Sequence, residues 1–233
     1  MKTHPPEPQK INPPKDAECK RCGACCSNGG PALHKEDMEL LLSGTIRHDQ
    51  LVTIRKGEFA FSPASNKIEP IREELIKICG SGRDWTCCFY DHKEKGCMIY
   101  TSRPLECRLL KCWDTAELLS AIYQDTIKRT DIINQGDPVR ELIQEQEREI
   151  ALDALEDLIT AVTDNKDRTA ALEKLTGLVR KDLALRTRAL NDSALPEAYE
   201  FFIFGRPLFK QLEPFGITAS EEDGKVHLCF QEK

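Results

Sequence analysis

The eleven cysteines of this 233-residue chain are concentrated in two short stretches, and this clustering limits the fold more than any other feature. Four cysteines fall within residues 19–26 and six within residues 79–112, while Cys229 stands alone. An odd number of cysteines in a chain without an export signal argues against a disulfide framework and favours metal binding or thiol redox chemistry. We therefore expect a metal centre to replace part of the hydrophobic core in the first half of the chain.

The overall composition narrows the class of protein. The net charge of −6 gives no indication of a nucleic-acid partner or an anionic membrane, and no apolar run is long enough to span a bilayer. The first residues are rich in proline and lack the apolar centre of a secretory signal. We therefore predict a disordered tail over residues 1–18 and a cytoplasmic location. A protein partner is the one kind of macromolecular partner that remains open.

Patterning and turn signals predict an α-rich α+β protein with three parts. The disordered tail comes first. Residues 19–113 form an irregular cysteine-rich domain that is nucleated by metal and contains a small β-hairpin. Residues 114–233 form a helical bundle that ends in a second hairpin.

Short elements are predicted in the cysteine-rich domain. Residues 34–44 should form a helix that ends at a glycine, and residues 51–61 two strands around a turn. Residues 70–78 fit either a helix or a strand, and residues 85–100 a hairpin. The hairpin would let Cys88 and Cys97 face each other across its base. Pro104 suits the first turn of a helix that carries Cys107.

Longer helices are predicted in the second half. Asp114 and Asp137 fit N-cap positions, so helices should follow them over residues 114–133 and 138–162. Two more helices are predicted, over residues 166–190 and from about residue 196. The sequence Asp223-Gly224 fits the turn of the terminal hairpin.

The string CKRCGACC, residues 19–26, carries the strongest chemical signal. Its first three cysteines have C-x-x-C-x-x-C spacing, which lets a tight loop turn three sulfurs toward one centre, with Gly23 easing the turn. Bacterial ferredoxins use this spacing for three ligands of a 4Fe–4S cluster. Cys26 directly follows Cys25, so the two side chains diverge and suit two metals or a bridging role better than one mononuclear site.

Basic residues are interleaved with the cysteines. Gathered thiolates repel one another, and nearby cations would offset that repulsion and keep the thiols deprotonated. The alternative is that these are ordinary surface charges. The residues concerned are Lys20, Arg21, Arg103, Arg108 and Lys111.

Taken in order, the strings CKRCGACC, CCFYDHKEKGCMIY and SRPLECR resemble the YkgJ-type cysteine-cluster family, whose members are described as chelators of zinc or iron. The resemblance covers residues 19–113. It implies metal binding by seven cysteines, to which we add one that follows Cys107 at helical spacing; the eight candidate ligands are Cys19, Cys22, Cys25, Cys26, Cys88, Cys97, Cys107 and Cys112. Because Cys87 adjoins Cys88, either of the two could be the ligand.

Three further residues match the I-Y-x-x-R-P-x-x-C-R element of that family. They are Tyr100, Arg103 and Arg108, and the resemblance implies that they surround the bound group.

Three functions remain open at this point. We favour an iron–sulfur protein, with a 4Fe–4S cluster and a redox or cluster-dependent role. The second function is a zinc-binding structural or interaction module, although the second cysteine stretch contains no C-x-x-C knuckle. The third is a thiol redox or metal-delivery protein. No acid–base pair, activated nucleophile or phosphate loop is recognisable, so the sequence does not decide whether the protein is an enzyme.

Overall fold

Pairs of short strands and short helices make up the cysteine-rich half, and longer helices follow. The computed structural model describes residues 19, 21–82, 85–192 and 195–232. The predicted disordered tail, residues 1–18, lies outside the described residues. Within the described part of the chain, no helix is both long and apolar enough to cross a bilayer.

The helices are α1 (Met38–Leu42), α2 (Leu105–Leu109), α3 (Ala116–Ala121), α4 (Arg129–Ile132), α5 (Val139–Glu149), α6 (Leu155–Thr163), α7 (Arg168–Asp192), α8 (Glu200–Phe204) and α9 (Leu208–Leu212). The strands are β1 (Leu51–Ile54), β2 (Phe59–Ser62), β3 (Lys67–Pro70), β4 (Leu75–Ile78), β5 (Gly80–Ser81), β6 (Thr86–Cys87), β7 (Tyr90–Asp91), β8 (Gly96–Cys97), β9 (Ile217–Glu222) and β10 (Lys225–Phe230). They form five antiparallel pairs, in which β1 pairs with β4, β2 with β3, β5 with β6, β7 with β8, and β9 with β10. The mixture of helices and small antiparallel sheets is compatible with the predicted α+β class.

The predicted elements before residue 80 are present. Helix α1 is followed by Gly44, whose φ of 72° lies in the left-handed region that favours glycine at a helix end. Strands β1 and β2 flank the predicted turn, but they pair with β4 and β3 rather than with each other. The segment that fitted either helix or strand contains strand β4.

The hairpin predicted over residues 85–100 is present in a shorter form, as the pair β7 and β8. Strand β6 pairs with β5, the strand that precedes it in the chain. Strand β7 pairs with β8, so Cys97 lies opposite Tyr90, and the prediction that it faces Cys88 is wrong. The backbone N–H of Cys88 instead donates to the carbonyl of Cys79 at 3.1 Å. Cys88 therefore lies beside Cys79, and Cys97 lies beside Tyr90.

The single helix predicted over residues 114–133 is also wrong, since α3 and α4 are separate. Tyr123 and Asp125 lie between them with φ values of 63° and 48°, which a continuous helix does not allow. The intervening chain is extended because the N–H of Ile127, a fully buried residue, donates to the carbonyl of Leu33 at 3.0 Å. A long-range contact has outweighed the local helical pattern.

The later helices follow the sequence signals more closely. Asp137 accepts a hydrogen bond from the N–H of Val139 at 2.9 Å, as expected of an N-cap residue. The helix it opens ends at Glu149, because Ile150 has left the helical conformation, so α5 and α6 divide the one predicted helix. The terminal hairpin is confirmed, with positive φ at both Asp223 and Gly224 as a two-residue turn requires.

One hydrophobic cluster runs through both halves of the chain. Its members include Leu33, Ile76, Cys87, Ile143, Val179 and Phe204. Side chains from before and after residue 113 therefore bury one another, and the helical half is the other side of the same core.

A buried arginine on α7 connects that helix to α8. Arg186 on α7 pairs with Asp182 at 3.0 Å and with Glu200 at 2.9 Å. Its guanidinium also donates to the carbonyls of Phe204 and Gly205, at 3.1 Å each. The end of a short helix leaves carbonyls without partners, and Arg186 satisfies those at the end of α8.

Helix α2, which carries Cys107, is fastened to the segment before α1. The carboxylate of Asp37 accepts from the N–H of Leu105 at 2.8 Å, and that of Glu106 accepts from the N–H of Ala32 at 2.7 Å. The ring of His34, only 1% exposed, bonds to the carbonyl of Gln124 and lies 3.5 Å from Glu106. We refer to these contacts between residues 32–37 and α2 as the α2 clamp.

The His34–Glu106 contact predicts a pH dependence of stability. The Glu106 carboxylate raises the pKa of His34 above its ordinary 6.5, against the opposing effect of burial. A raised pKa in the folded state means that protonation stabilises the fold, so this contribution is full below about pH 6.5 and is lost as the pH rises through the higher folded value. The Glu106→Gln variant keeps the shape but removes the charge.

We therefore expect the stability difference between wild type and Glu106→Gln to shrink as the pH increases above about 6.5. Chemical unfolding of both proteins across this range measures the difference. Parallel stability curves would contradict the assigned role of Glu106.

Candidate metal centre

Seven of the eight predicted ligand cysteines line a single cavity of about 300 Å³. They are Cys19, Cys22, Cys25, Cys26, Cys97, Cys107 and Cys112. The remaining wall consists of Arg21, Gly23, Tyr90, Tyr100, Arg103, Leu110 and Trp113. The structure thus brings together both cysteine stretches, although more than seventy residues separate Cys25 from Cys97 in the sequence.

The CKRCGACC loop turns tightly because of Gly23. Its φ is 78°, and the N–H of Ser27 returns to its carbonyl at 2.9 Å. A Cβ at this position would lie 2.2 Å from the ring of Tyr90, whose hydroxyl donates to the carbonyl of Cys22 at 3.4 Å. Tyr90 therefore packs directly on the backbone of the loop, and only glycine allows that approach.

Cys25 and Cys26 lie side by side with their sulfurs 4.0 Å apart. The thiol of Cys26 hydrogen-bonds to that of Cys25 and lowers the pKa of Cys25 to about 6, with a further contribution from the charge of Arg103. The same contact raises the pKa of Cys26. The two thiols therefore titrate as a coupled pair, in which ionisation of one disfavours ionisation of the other.

The cysteines of the second stretch are held on different elements. Cys97 belongs to β8, Cys107 to α2, and Cys112 follows that helix. Burial, reinforced by the nearby Cys87 and Cys25, raises the pKa of Cys107 to about 12. This thiol is therefore neutral before a metal binds, and ligation by Cys107 would have to release its proton to solvent.

The adjacent Cys87 and Cys88 point to different surroundings. Cys88 does not line the cavity. Its thiol and that of Cys79 form a hydrogen bond, and this contact raises the pKa of Cys88 and lowers that of Cys79. Cys87 is 7% exposed, and burial raises its pKa, with additional repulsion from Cys97, Cys79 and Cys25. Neither Cys87 nor Cys88 lines the cavity, but Cys87 is acted on by two thiols that do, Cys97 and Cys25.

Tyr100 lies between two guanidinium groups at the cavity wall. The Cζ atoms of Arg21 and Arg103 are each 4.0 Å from its ring centroid. Arg103 also donates from Nε to the carbonyl of Tyr100 at 3.0 Å and from Nη1 to that of Cys107 at 3.4 Å. The predicted Tyr100 and Arg103 therefore meet at the site, and they hold two positive charges beside the thiols.

The other predicted cations are engaged elsewhere. Arg108 does not line the cavity, because it faces Glu36 at 2.6 Å and Asp37 at 3.9 Å. Lys111 pairs with Glu117 at 2.5 Å. Lys20 lies outside the described residues. Arg108 and Lys111 thus support the fold around α2 instead of contacting the cavity.

Sequence reasoning missed the contribution of Tyr90 to this site and left Cys87 and Cys88 as alternatives. Tyr90 lies in the string that carries the resemblance, but only its contact with Gly23 reveals its role. The position of Cys87 depends on the pairing of β6 with β5, which begins at the close approach of Gly80 to Trp85; a Cβ on Gly80 would lie 2.3 Å from the carbonyl oxygen of Trp85.

The donor set suits a thiophilic metal. Thiolate sulfur is the ligand of zinc, of copper(I) and of iron–sulfur clusters, and hard cations such as magnesium prefer oxygen. In the described part of the chain, no three cysteine, histidine, aspartate or glutamate side chains are already grouped closely enough to hold a metal ion. The seven thiols surround a common space, and binding would require them to close on it.

We expect Gly23→Ala to destabilise the protein and to lower its metal content, because the methyl group displaces Tyr90 and with it the loop that carries Cys22 and Cys25. Gly44→Ala is the matched control: Gly44 has a similar φ of 72°, but a Cβ there meets no atom within 4 Å. Both variants carry the left-handed strain of about 1–2 kcal/mol. Thermal unfolding and metal analysis should show a larger loss for Gly23→Ala; equal losses would contradict the packing role of Tyr90.

Comparison with known proteins places these residues in a family. A family model described as "CxxCxxCC: Putative zinc- or iron-chelating domain" matches residues 18–136. The match takes in both cysteine stretches and continues past the predicted boundary at residue 113, through α3 and α4. Searches of curated proteins and of solved structures found no match. Since the model spans more than half of the chain, the protein belongs to the CxxCxxCC family, whose description supports metal binding.

Proposed function

We propose that the cysteine cavity holds a 4Fe–4S iron–sulfur cluster, and that the protein uses it for electron transfer or cluster-dependent chemistry. The observation that carries this proposal is the convergence of seven cysteines on one cavity. A single tetrahedral zinc and a single 4Fe–4S cluster each take four ligands, so seven thiols exceed the requirement of either, and the spacing of the first stretch favours the cluster.

The spacing of the first stretch gives independent support. Cys19, Cys22 and Cys25 have the C-x-x-C-x-x-C spacing that ferredoxins use for three ligands of such a cluster, with a fourth ligand from elsewhere. Cys107 is our candidate for the fourth, because the α2 clamp fixes its helix and it lines the same cavity. The other thiols of the cavity would be spare or would serve a second metal.

The remaining side chains would set the properties of the site. Leu110 and Trp113 form an apolar wall that limits access of water, and hydrophobic surroundings of this kind influence reduction potentials. Arg21 and Arg103 bring positive charge beside thiolates that repel one another. When bound, an iron–sulfur cluster supplies one-electron chemistry. We expect a protein partner to exchange those electrons.

The test is anaerobic purification of the full chain, followed by an absorption spectrum and by iron, zinc and acid-labile sulfide analysis of the same sample. A brown protein that absorbs broadly near ~400 nm and contains iron and sulfide in equal amounts would support the proposal. A colourless protein with tightly held zinc and no sulfide would overturn it and favour a zinc-stabilised module.

Substitution of single cysteines tests which thiols matter. We expect Cys25→Ser and Cys107→Ser to lose most of the bound metal and to unfold at a lower temperature, because metal binding stabilises only the folded state. Cys229→Ser is the matched control, since Cys229 is exposed on β10 and contacts Thr218. Metal content that is the same in all three variants would exclude Cys25 and Cys107 as ligands.

The neighbouring pair Cys87 and Cys88 offers a second comparison. We expect Cys87→Ser to lower the metal content more than Cys88→Ser. Two of the three thiols that act on Cys87, Cys97 and Cys25, line the cavity, whereas those that act on Cys88 are Cys79 and Cys87. Metal per folded protein, with circular dichroism as the folding control, measures the difference. The reverse order would assign ligation to Cys88, as the family resemblance implies.

A further inference from the structure

A second cavity, of about 380 Å³, is formed by residues that take no part in the cysteine site. It lies where the turn after β1, the start of α4 and the segment after α5 meet. Its lining is almost entirely charged and consists of Arg55, Lys56, Glu73, Glu74, Lys128, Arg129, Glu147, Ala151, Leu152 and Asp153. The volume is within the range of small-molecule sites.

Arg55 is a buried cation without a carboxylate partner. Its side chain is 5% exposed, and Nη2 donates to the carbonyl of Ile150 at 2.7 Å. Among the described residues no carboxylate lies within 4.0 Å of its guanidinium, and Nε and Nη1 have no hydrogen-bond acceptor. The carboxylates of Asp182 and Glu58 act on Arg55 from beyond ion-pair distance, and they already pair with Arg186 and Arg206. A buried guanidinium with two nitrogens lacking an acceptor is unfavourable, so this arrangement favours an acceptor from outside the chain.

The free nitrogens of Arg55 are accessible from the cavity. The fully buried side-chain atoms that lack a partner, among the described residues, are Oε1 of Gln146 and Oε1 of Gln211. Nε and Nη1 of Arg55 also lack a partner, but they are not fully buried. They are therefore reached by solvent, and the space that Arg55 lines is this cavity.

The other charges of the cavity are largely paired. Arg129 is 1% exposed and is bound by Glu74 at 2.6 Å and Glu147 at 2.9 Å, and Lys128 lies 3.6 Å from Glu73. These pairs use three of the four carboxylates in the lining. Burial, reinforced by the repulsion of Arg129, lowers the pKa of Arg55 to about 10 against the opposing charges of Asp182 and Glu58.

Two exposed charges remain at the rim, Lys56 and Asp153. Neither forms an ion pair within the described part of the chain. Lys56 adds a second cation beside Arg55, and Asp153 adds a negative charge. A ligand with several negative charges would be repelled by Asp153 and by the paired glutamates, so the lining favours a ligand with a single anionic group.

We propose that this cavity binds a small organic molecule through one carboxylate or phosphoryl group, which accepts hydrogen bonds from Nε and Nη1 of Arg55 and is flanked by Lys56. Guanidinium groups match the planar geometry of such oxyanions. The site is independent of the metal centre, because the two cavities share no lining residue.

Isothermal titration of the full-length, metal-loaded protein tests this proposal, with acetate, glycine and inorganic phosphate as probes and sodium chloride at matched ionic strength. Saturable binding of acetate or glycine indicates a carboxylate ligand, and saturable binding of phosphate indicates a phosphoryl ligand. We expect Lys56→Met to weaken the binding about tenfold, as the loss of a charge-assisted contact does. Arg55→Met should abolish it.

Lys174→Met is the control, because Lys174 is an exposed lysine on α7 outside the cavity. Circular dichroism establishes whether each variant is folded; if Arg55→Met does not fold, the exposed Lys56 decides the result. The proposal is overturned if none of the three probes binds saturably, or if binding is the same in wild type and in every folded variant of Arg55 and Lys56.

Discussion

The attachment of helix α2 to residues 32–37 is the constraint on which the cysteine site depends. Cys107 comes from a short helix that could not be stable alone. Asp37 and Glu106 hold that helix through backbone N–H groups, and the buried His34 completes the contact. Polar groups this deeply buried require partners, so the contacts specify one arrangement of α2. The loop of the first cysteine stretch then meets a thiol in a fixed position.

The cavity gathers thiols whose ionisation a positive charge would favour. Seven thiols share one space, and burial keeps Cys107 protonated. Arg21 and Arg103 contribute charge from the wall, where stacking on Tyr100 holds them in place. Arg103 is also held by hydrogen bonds to the carbonyls of Tyr100 and Cys107, whereas, within the described part of the chain, the exposed Arg21 contacts the ring alone. Such a wall would stabilise thiolates as they form, and a metal would supply the remaining charge.

The sequence predicted the chemistry of the site better than its geometry. The family resemblance, with Cys112 added for its spacing from Cys107, identified seven residues that line one cavity. The capping residue Asp137 and the turn at Asp223 are also found as expected. Strand pairing was less predictable, because strands of two residues depend on which neighbour they meet. The position of Cys88 beside Cys79 follows from that pairing and not from any local pattern. Likewise, Ile127 leaves the helical pattern because it is buried against Leu33.

The shared core makes the metal site and the helical half a single cooperative unit. A chain cut near residue 113 would leave the apolar faces of Leu33 and Val179 without cover, and each fragment would be prone to aggregate. For the same reason, loss of metal would lower the stability of the whole protein and not only of its first half. In a cell, proteases remove chains that unfold more often. The amount of this protein would then follow the supply of its metal without any dedicated regulator.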